Sequence, residues 1–351
     1  MIAATESHFD RSAFVDRCLV GYEAMELTER ARHIADVLAD HLPTDRKRAL
    51  EIITDSLGPE IEERELTGMG GFLYLPLVFF VADHGLEHFE EAMHAQYELT
   101  KRFTAEFSIR AYLERYPVET LNRMREWAVD PDVHVRRLVS EGTRPRLPWA
   151  PRLRSFQADP TPVIELLEIL KDDTEEYVRR SVANNLNDIS KDNPDVVIDV
   201  AQRWWEAGSS DRRRLVRHGL RTLIKQGHPG ALEVLGFGPD SPVEVAAVTV
   251  TPATVPIGGK VRIEVQLVNP SEDEAGALVD LIVHFVKANG STSPKVFKGA
   301  EVTLGAGEAT TVSKSVSVKQ HTTRTHYPGR HGVEVQLNGQ VFPGDDFELT
   351  P

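Results

Sequence analysis

Three stretches of the chain repeat one another, and that repetition constrains the fold more than any single motif. DPDVHVRRLVSEG (130–142) is echoed by DDTEEYVRRSVANNL (172–186) and, more weakly, by SSDRRRLVRHGLRTL (209–223). Aligned on Val135, Val178 and Val216, the copies lie 43 and 38 residues apart. A unit of that length holds a helix pair too small to bury its own apolar face, so neighbouring units have to stack. Apolar residues spaced three and four apart recur through 1–235, as in Ala31–Ile34–Ala35–Leu38 and Val163–Leu166–Leu167–Leu170, which is the period of a helix. Asp130-Pro131, Asp159-Pro160 and Asn193-Pro194 each offer an N-cap side chain followed by proline at the first helical position.

Near residue 236 the pattern changes. GFGPDSP (236–242) is a Gly/Pro linker, and beyond it Val261, Ile263, Val265 and Leu267 alternate with Arg262, Glu264 and Gln266, the period of a strand. Seven strands are predicted, near 244–251, 260–268, 278–287, 295–303, 309–318, 332–338 and 340–349. That number suits an immunoglobulin-like sandwich without the inter-sheet disulfide and its Trp. The expected chain is therefore multi-domain: an all-α HEAT-like helical-repeat solenoid over 1–238, then an all-β immunoglobulin-like sandwich over 239–351. A length of 351 residues accommodates both, and 41% hydrophobic with 27% charged residues argues against disorder. No apolar run is long enough to span a membrane and the N-terminus lacks the pattern of a signal peptide, so a cytoplasmic protein is expected. The one cysteine, Cys18, excludes an intrachain disulfide and a Cys-based zinc cluster and reads as a small buried hydrophobe.

The net charge of −14 is unevenly spread: −12 in residues 1–100, +2 in 101–238 and −4 in 239–351. An Arg-rich stripe on an acidic body is compatible with a polyanionic partner. On a helical wheel the first repeat turns Val135, Leu138, Val139 and Gly142 inward and Arg136 and Arg137 outward. The second turns Val178, Val182 and Asn185 inward and Arg179 and Arg180 outward. The third places Arg217 and His218 equivalently and adds Arg213 and Arg221. Guanidinium groups in register suit the phosphates of a duplex; the alternative is a solvated face on which they pair with nearby acids. Glu141 aligns with Asn184 and Thr222, so one repeat alone sets a carboxylate inside this surface. It either stabilises a cation or pairs with Arg137 at i,i+4. GTRPRLPWAPRLRSF (142–156) follows, with Arg144, Arg146, Arg152, Arg154 and a stiffly presented Trp149. That indole suits a base or a deoxyribose, or plugs a gap between repeats.

QYELTKRFTAEFSIRAYLERYP (96–117), VHVRRLVSEGTRPRLPWAPRL (133–153) and YVRRSVANNLNDISKDNP (177–194) together resemble the AlkC family of bacterial DNA glycosylases, relatives of AlkD. The resemblance extends over roughly 20–238, and a subset of that family carries a C-terminal immunoglobulin-like domain. It implies hydrolytic excision of cationic alkylated bases, above all 3-methyladenine and with it 3-methylcytosine, from double-stranded DNA without flipping the base into a pocket. By motif it carries over a catalytic set of Glu106 in AEFSIR, Glu141 in VSEGTRPR and Trp149 in LPWAPR. Besides the arginines named above, Lys191 and Lys225 are taken as DNA-contacting.

The residue types fit that chemistry. N3-alkylation makes the base a cationic leaving group, so the barrier lies in the developing oxocarbenium ion. Two carboxylates can stabilise it while one orients or deprotonates water, and Trp149 can offer a π face. No cofactor or metal is required, and no lysine lies in VSEGTRPRLPWAPR for a Schiff base, so a monofunctional enzyme is expected. DHGLEHFEEAMH (83–94) sets His84 and His88 at i,i+4 but not in HExxH order, and is read as structural rather than a zinc site. KQHTTRTHYPGRHG (319–332) carries Lys319, Arg324, Arg330 and three histidines including His331, without an acid. It is a candidate minor-groove contact, or a solvated loop. The expected partner is double-stranded DNA containing alkylated bases, bound by a monomer without an obligate protein partner. The competing class is a non-enzymatic HEAT scaffold that binds DNA or protein.

Overall fold

The computed structural model describes residues 1–60, 70–206, 208–238, 240–320 and 325–351. Among them sixteen α-helices precede nine β-strands. Packing divides the chain into two compact units, Met1–Asn193 with Gly208–Gly219, and Pro194–Ala207 with Leu220–Pro351. No described helix is long and apolar enough to cross a membrane.

In the first unit the helix Leu27–His41 packs on Leu75–His84, and Arg46–Ser56 packs on Phe89–Thr100. Leu38, Leu50, Ile52, Ile53, Phe80 and Met93 fill the core between them, and Cys18 is buried as expected. Helices Ile109–Arg115 and Pro117–Trp127 pair next. Val133–Gly142 then packs on Glu176–Ile189, which packs on Ser210–Gly219. The three aligned repeats are thus consecutive layers, and the residues the wheel turned inward are buried. The start signals need adjustment. Asp132, not Asp130, caps the first repeat helix by accepting from His134 N and Val135 N, because Asp130 is engaged one turn earlier with Asp132 N and the Tyr97 hydroxyl. Asp159 accepts from Thr161 N at the head of Thr161–Leu170, and Pro194 does open its helix.

In the second unit the strands are β1 (Glu244–Thr251), β2 (Thr254–Pro256), β3 (Lys260–Val268), β4 (Ala275–Val286), β5 (Thr292–Leu304), β6 (Ala309–Ser317), β7 (Gly329–Leu337), β8 (Gln340–Pro343) and β9 (Phe347–Thr350). One sheet runs β1-β3-β6 and the other β2-β9-β7-β4-β5, with β8 on β7. Val261, Ile263, Val265, Val279, Leu281, Val283 and Val335 interdigitate between them, since side chains alternate faces along a strand. The stretch expected as one strand over 340–349 is two, β8 and β9, broken at Gly344–Asp346. The helix Arg221–Lys225 meets β7, where Gln336 Nε2 donates to Ile224 O at 3.2 Å. Gly339 (φ 85°) comes so near Gly227 that a side chain would meet Gly227 O at 2.7 Å.

Candidate active site

Two carboxylates far apart in sequence meet at one arginine in the first unit. Glu106 lies in the loop before Ile109–Arg115, held by Thr104, whose Oγ1 accepts from Glu106 N (3.2 Å) and donates to Glu106 Oε2 (3.1 Å). Glu141 ends the helix Val133–Gly142, and Arg137 lies one turn before it. Arg137 Nη1 donates to Glu106 Oε2 at 3.1 Å, and its Nη2 lies 3.7 Å from Glu141 Oε1. The Tyr177 ring sits 5.2 Å from that guanidinium. Glu141 is further bound by Arg144 Nη1 on Oε1 and by Ser181 Oγ on Oε2, both at 2.5 Å. Arg144 Nε in turn donates to the buried Asp188 (2.8 Å), which also receives Lys191 Nζ (2.8 Å). Both oxygens of Glu141 are therefore occupied, whereas Glu106 Oε1 takes no hydrogen bond among the described residues.

Burial pushes both carboxyls up, and their surroundings then separate them. For Glu141 the cations Arg137 and Arg144, with the bonds from Ser181 and Arg144, outweigh burial and hold it below the ordinary glutamate value. For Glu106 burial prevails over Arg137, and the Glu141 charge adds to it, so this carboxyl sits above the ordinary value. Two carboxyls pushed in opposite directions are suited to unlike tasks. The packing around Glu141 leaves no slack: a Cβ on Gly142 would lie 2.6 Å from Ile109 Cγ2. Asn185 Nδ2 donates to Ser140 O (2.8 Å) and Thr143 Oγ1 (3.1 Å), fixing the end of that helix from the next repeat.

Trp149 stands at the tip of the loop that follows. Its backbone is left-handed (φ 63°), a region a bulky residue rarely occupies, and it is 76% exposed. It plugs no gap. The ring therefore belongs to no core. Arg110, which pattern reading did not single out, is buried beneath the loop and donates to its carbonyls; burial pushes its pKa down to about 10.

The arginine row divides into two kinds. Arg136 binds Asp173 with two bonds (2.6 and 3.0 Å) and the carbonyls of Asp130 and Pro131. Arg179 repeats this one layer on, with the carbonyls of Asp173 and Thr174 and with Asp211 at 3.1 Å. Arg136 and Arg179 thus couple layer to layer. The signal was present: Asp130, Asp173 and Asp211 each precede the aligned valine by five residues, and the arginine follows it by one. Arg146 is likewise bound by Asp192 through two bonds. Arg180 is exposed and, among the described residues, is paired with Glu176 at i,i+4. Arg152, Arg154 and Arg213 are exposed, and Arg217 is half-buried. A cleft between the second and third repeat helices is lined by Arg179, Arg180, Arg214 and His218 with Glu176 and Asp211.

In the second unit Lys225 is exposed and Arg221 half-buried. Arg330 is exposed beside Asp346, while Arg324 lies outside the described residues. His331 corrects the expectation placed on it: it is fully buried, its ring stacked 5.0 Å from Phe347 and edge-on to Phe285, so it belongs to the sandwich core. At the acidic end His84 Nε2 pairs with Asp36 Oδ1 at 2.9 Å.

With this geometry in view, comparison with known proteins is informative. The profile of the family described as "DNA alkylation repair enzyme" matches residues 100–222, and that of "Uncharacterised protein YhaZ, C-terminal Ig-like domain" matches 244–351. The uncharacterized protein YhaZ of Bacillus subtilis (strain 168) is 34% identical over 343 residues, covering 97% of this chain and 92% of that protein. The Pseudomonas fluorescens alkylpurine DNA glycosylase AlkC, solved bound to DNA containing an abasic site analog, superposes with a TM-score of 0.88 at 35% identity, covering 100% of this chain and 95% of that one.

Proposed function

The chain belongs to the DNA alkylation repair enzyme family, in the form that carries a YhaZ-type C-terminal Ig-like domain, and from that premise we propose that it is a monofunctional DNA glycosylase. Its substrate is double-stranded DNA bearing cationic N3-alkylated bases, 3-methyladenine first and 3-methylcytosine with it, and its place is in base excision repair. The observation that carries this reading is the pair of carboxylates, Glu141 buried and Glu106 half-buried, gathered on Arg137 in the same unit as an outward, strained Trp149.

Each group then has a task. Glu141 stays ionised and immobile, and its field favours the oxocarbenium ion over the neutral ground-state sugar. Glu106, with one free oxygen and a raised pKa, holds and deprotonates the attacking water, for which a base titrating nearer neutrality is better matched. The base already carries its positive charge, so no acid is asked to protonate it. Trp149 lays its ring against the sugar or the cationic base. Arg152 and Arg154, exposed beside the Trp149 loop, and the exposed Arg180 contact phosphates, with Arg213 and Arg217 of the third repeat helix; Arg144 and Arg146 hold the acids around them. In the first unit Lys191 adds a phosphate contact, and in the second unit Lys225, Arg221 and Arg330 do so. Residues 1–238 are the catalytic domain and 239–351 the accessory sandwich, acting as a monomer without flipping the base.

The test is single-turnover release of 3-methyladenine from methylated duplex DNA at low salt, where phosphate contacts are strongest. Wild type should release the base, and Glu106→Gln and Glu141→Gln should each slow release about 10²–10⁴-fold. Tight duplex binding with no release by wild type would leave the DNA-binding scaffold as the function.

A further inference from the structure

We propose that Arg110 is a positioning residue that closes the neck of the Trp149 loop and thereby fixes where Trp149 stands relative to Glu106 and Glu141. Its Nη1 donates to Gly142 O (3.3 Å) and Arg144 O (2.7 Å), and its Nη2 donates to Pro151 O. Those carbonyls lie at the two ends of one loop, so a single planar guanidinium spans the neck. The tie reaches all three proposed catalytic residues: Glu106 lies four residues before Arg110, Gly142 directly follows Glu141, and Pro151 lies two residues past Trp149.

The loop supplies little of this closure itself. Pro145, Pro148 and Pro151 have no N–H to give. Its own backbone bonds are Ala150 N to Leu147 O (3.4 Å) and Leu153 N to Pro145 O (3.2 Å). The second of these crosses the neck, but the carbonyls of Gly142, Arg144 and Pro151 need donors from elsewhere, and Arg110 brings a fork that matches acceptors on both sides. The fold tolerates a real penalty for it: the guanidinium is buried, its Nε has no hydrogen-bond partner, and it pairs with no carboxylate among the described residues. Burying a charge on carbonyls alone is costly, and a left-handed tryptophan persists only where its surroundings over-determine it. A lysine, as a point charge without a fork, cannot span the neck.

The rate arm of the test rests on the glycosylase reading; the proteolysis arm does not. In the full chain, Arg110→Lys should lower single-turnover release about 100-fold, the scale of a misplacement near 1 Å. Duplex affinity, set mainly by phosphate contacts, should stay within about threefold. Trypsin cleavage after Arg146, Arg152 or Arg154 should rise about tenfold as the loop opens locally, with cleavage elsewhere unchanged. In Arg110→Ala, guanidinium ion added at matched ionic strength should restore part of the rate and the protection. Wild-type rate and protection in Arg110→Lys would overturn the proposal, as would cleavage rising across the whole chain. If wild type releases no base, the glycosylase reading falls and the loop-confined cleavage alone decides the role of Arg110.

Discussion

Asp173→Ala tests whether the arginine row is in part a coupling between layers. Asp173 takes two charge-assisted bonds from Arg136 across the layer boundary, with side chains only 14% and 5% exposed, and accepts from Glu175 N beside the next helix. Breaking a buried pair by removing one partner costs about 3–5 kcal/mol. Arg136 keeps the carbonyls of Asp130 and Pro131, which lowers that figure, while the lost acceptor for Glu175 N adds to it. The expected destabilisation of the helical unit is about 3 kcal/mol. With an m-value near 3 kcal/mol/M for urea, the midpoint of the far-UV circular dichroism transition should fall by about 1 M. A double-mutant cycle with Arg136→Ala should return a coupling of about 1–3 kcal/mol. Glu176→Gln, which removes an exposed i,i+4 partner of Arg180, serves as the control and should leave the midpoint where it was. An Asp173→Ala midpoint no lower than that control would refute the argument.

Two further outcomes follow from the site. Trp149→Gly relieves left-handed strain that glycine does not feel, so urea stability should hold or rise by up to about 1 kcal/mol while base release falls; a clear loss of stability would contradict a strained contact residue. If Glu106 is the base, activity needs its deprotonated form, and a raised pKa means protonation removes activity sooner on acidification. The acid limb of the single-turnover profile should therefore lie above the ordinary glutamate value of 4.5 and vanish in Glu106→Gln; a limb at or below that value would transfer the role elsewhere.

The division into helical and β-rich regions, the stacking of the three repeats and most strands were legible because periodicity reports which face of an element is buried. Partners were less legible. A wheel places Arg136 and Arg179 outside but says nothing of an aspartate 37 or 32 residues on, although the fixed spacing of Asp130, Asp173 and Asp211 repeated the answer. Glu141 looked like a surface residue on its own helix and is buried because the next repeat brings Ser181 onto it, while Asp188 of that repeat holds the Arg144 that also binds it. Arg110 lay in a quoted motif yet carried no pattern, since its acceptors are backbone carbonyls and every residue has one. His331 read as part of a basic loop, but strand β7 turns it inward.

The sharing of Arg137 has a consequence for how the centre meets its ligand. Glu106, Glu141 and Arg137, all ionised, sum to one negative charge, while Arg144 and Lys191 about Asp188 add one positive charge behind them. Losing one carboxylate leaves the trio neutral, and losing both leaves the half-buried Arg137 cation facing whatever positive charge approaches. Under the proposed function the trio acts as an electrostatic sieve whose sign is set by the count of acids around one guanidinium. On this account the doubly substituted protein is not a silent version of the native one. It should turn away a charged lesion while still accepting an unmodified duplex.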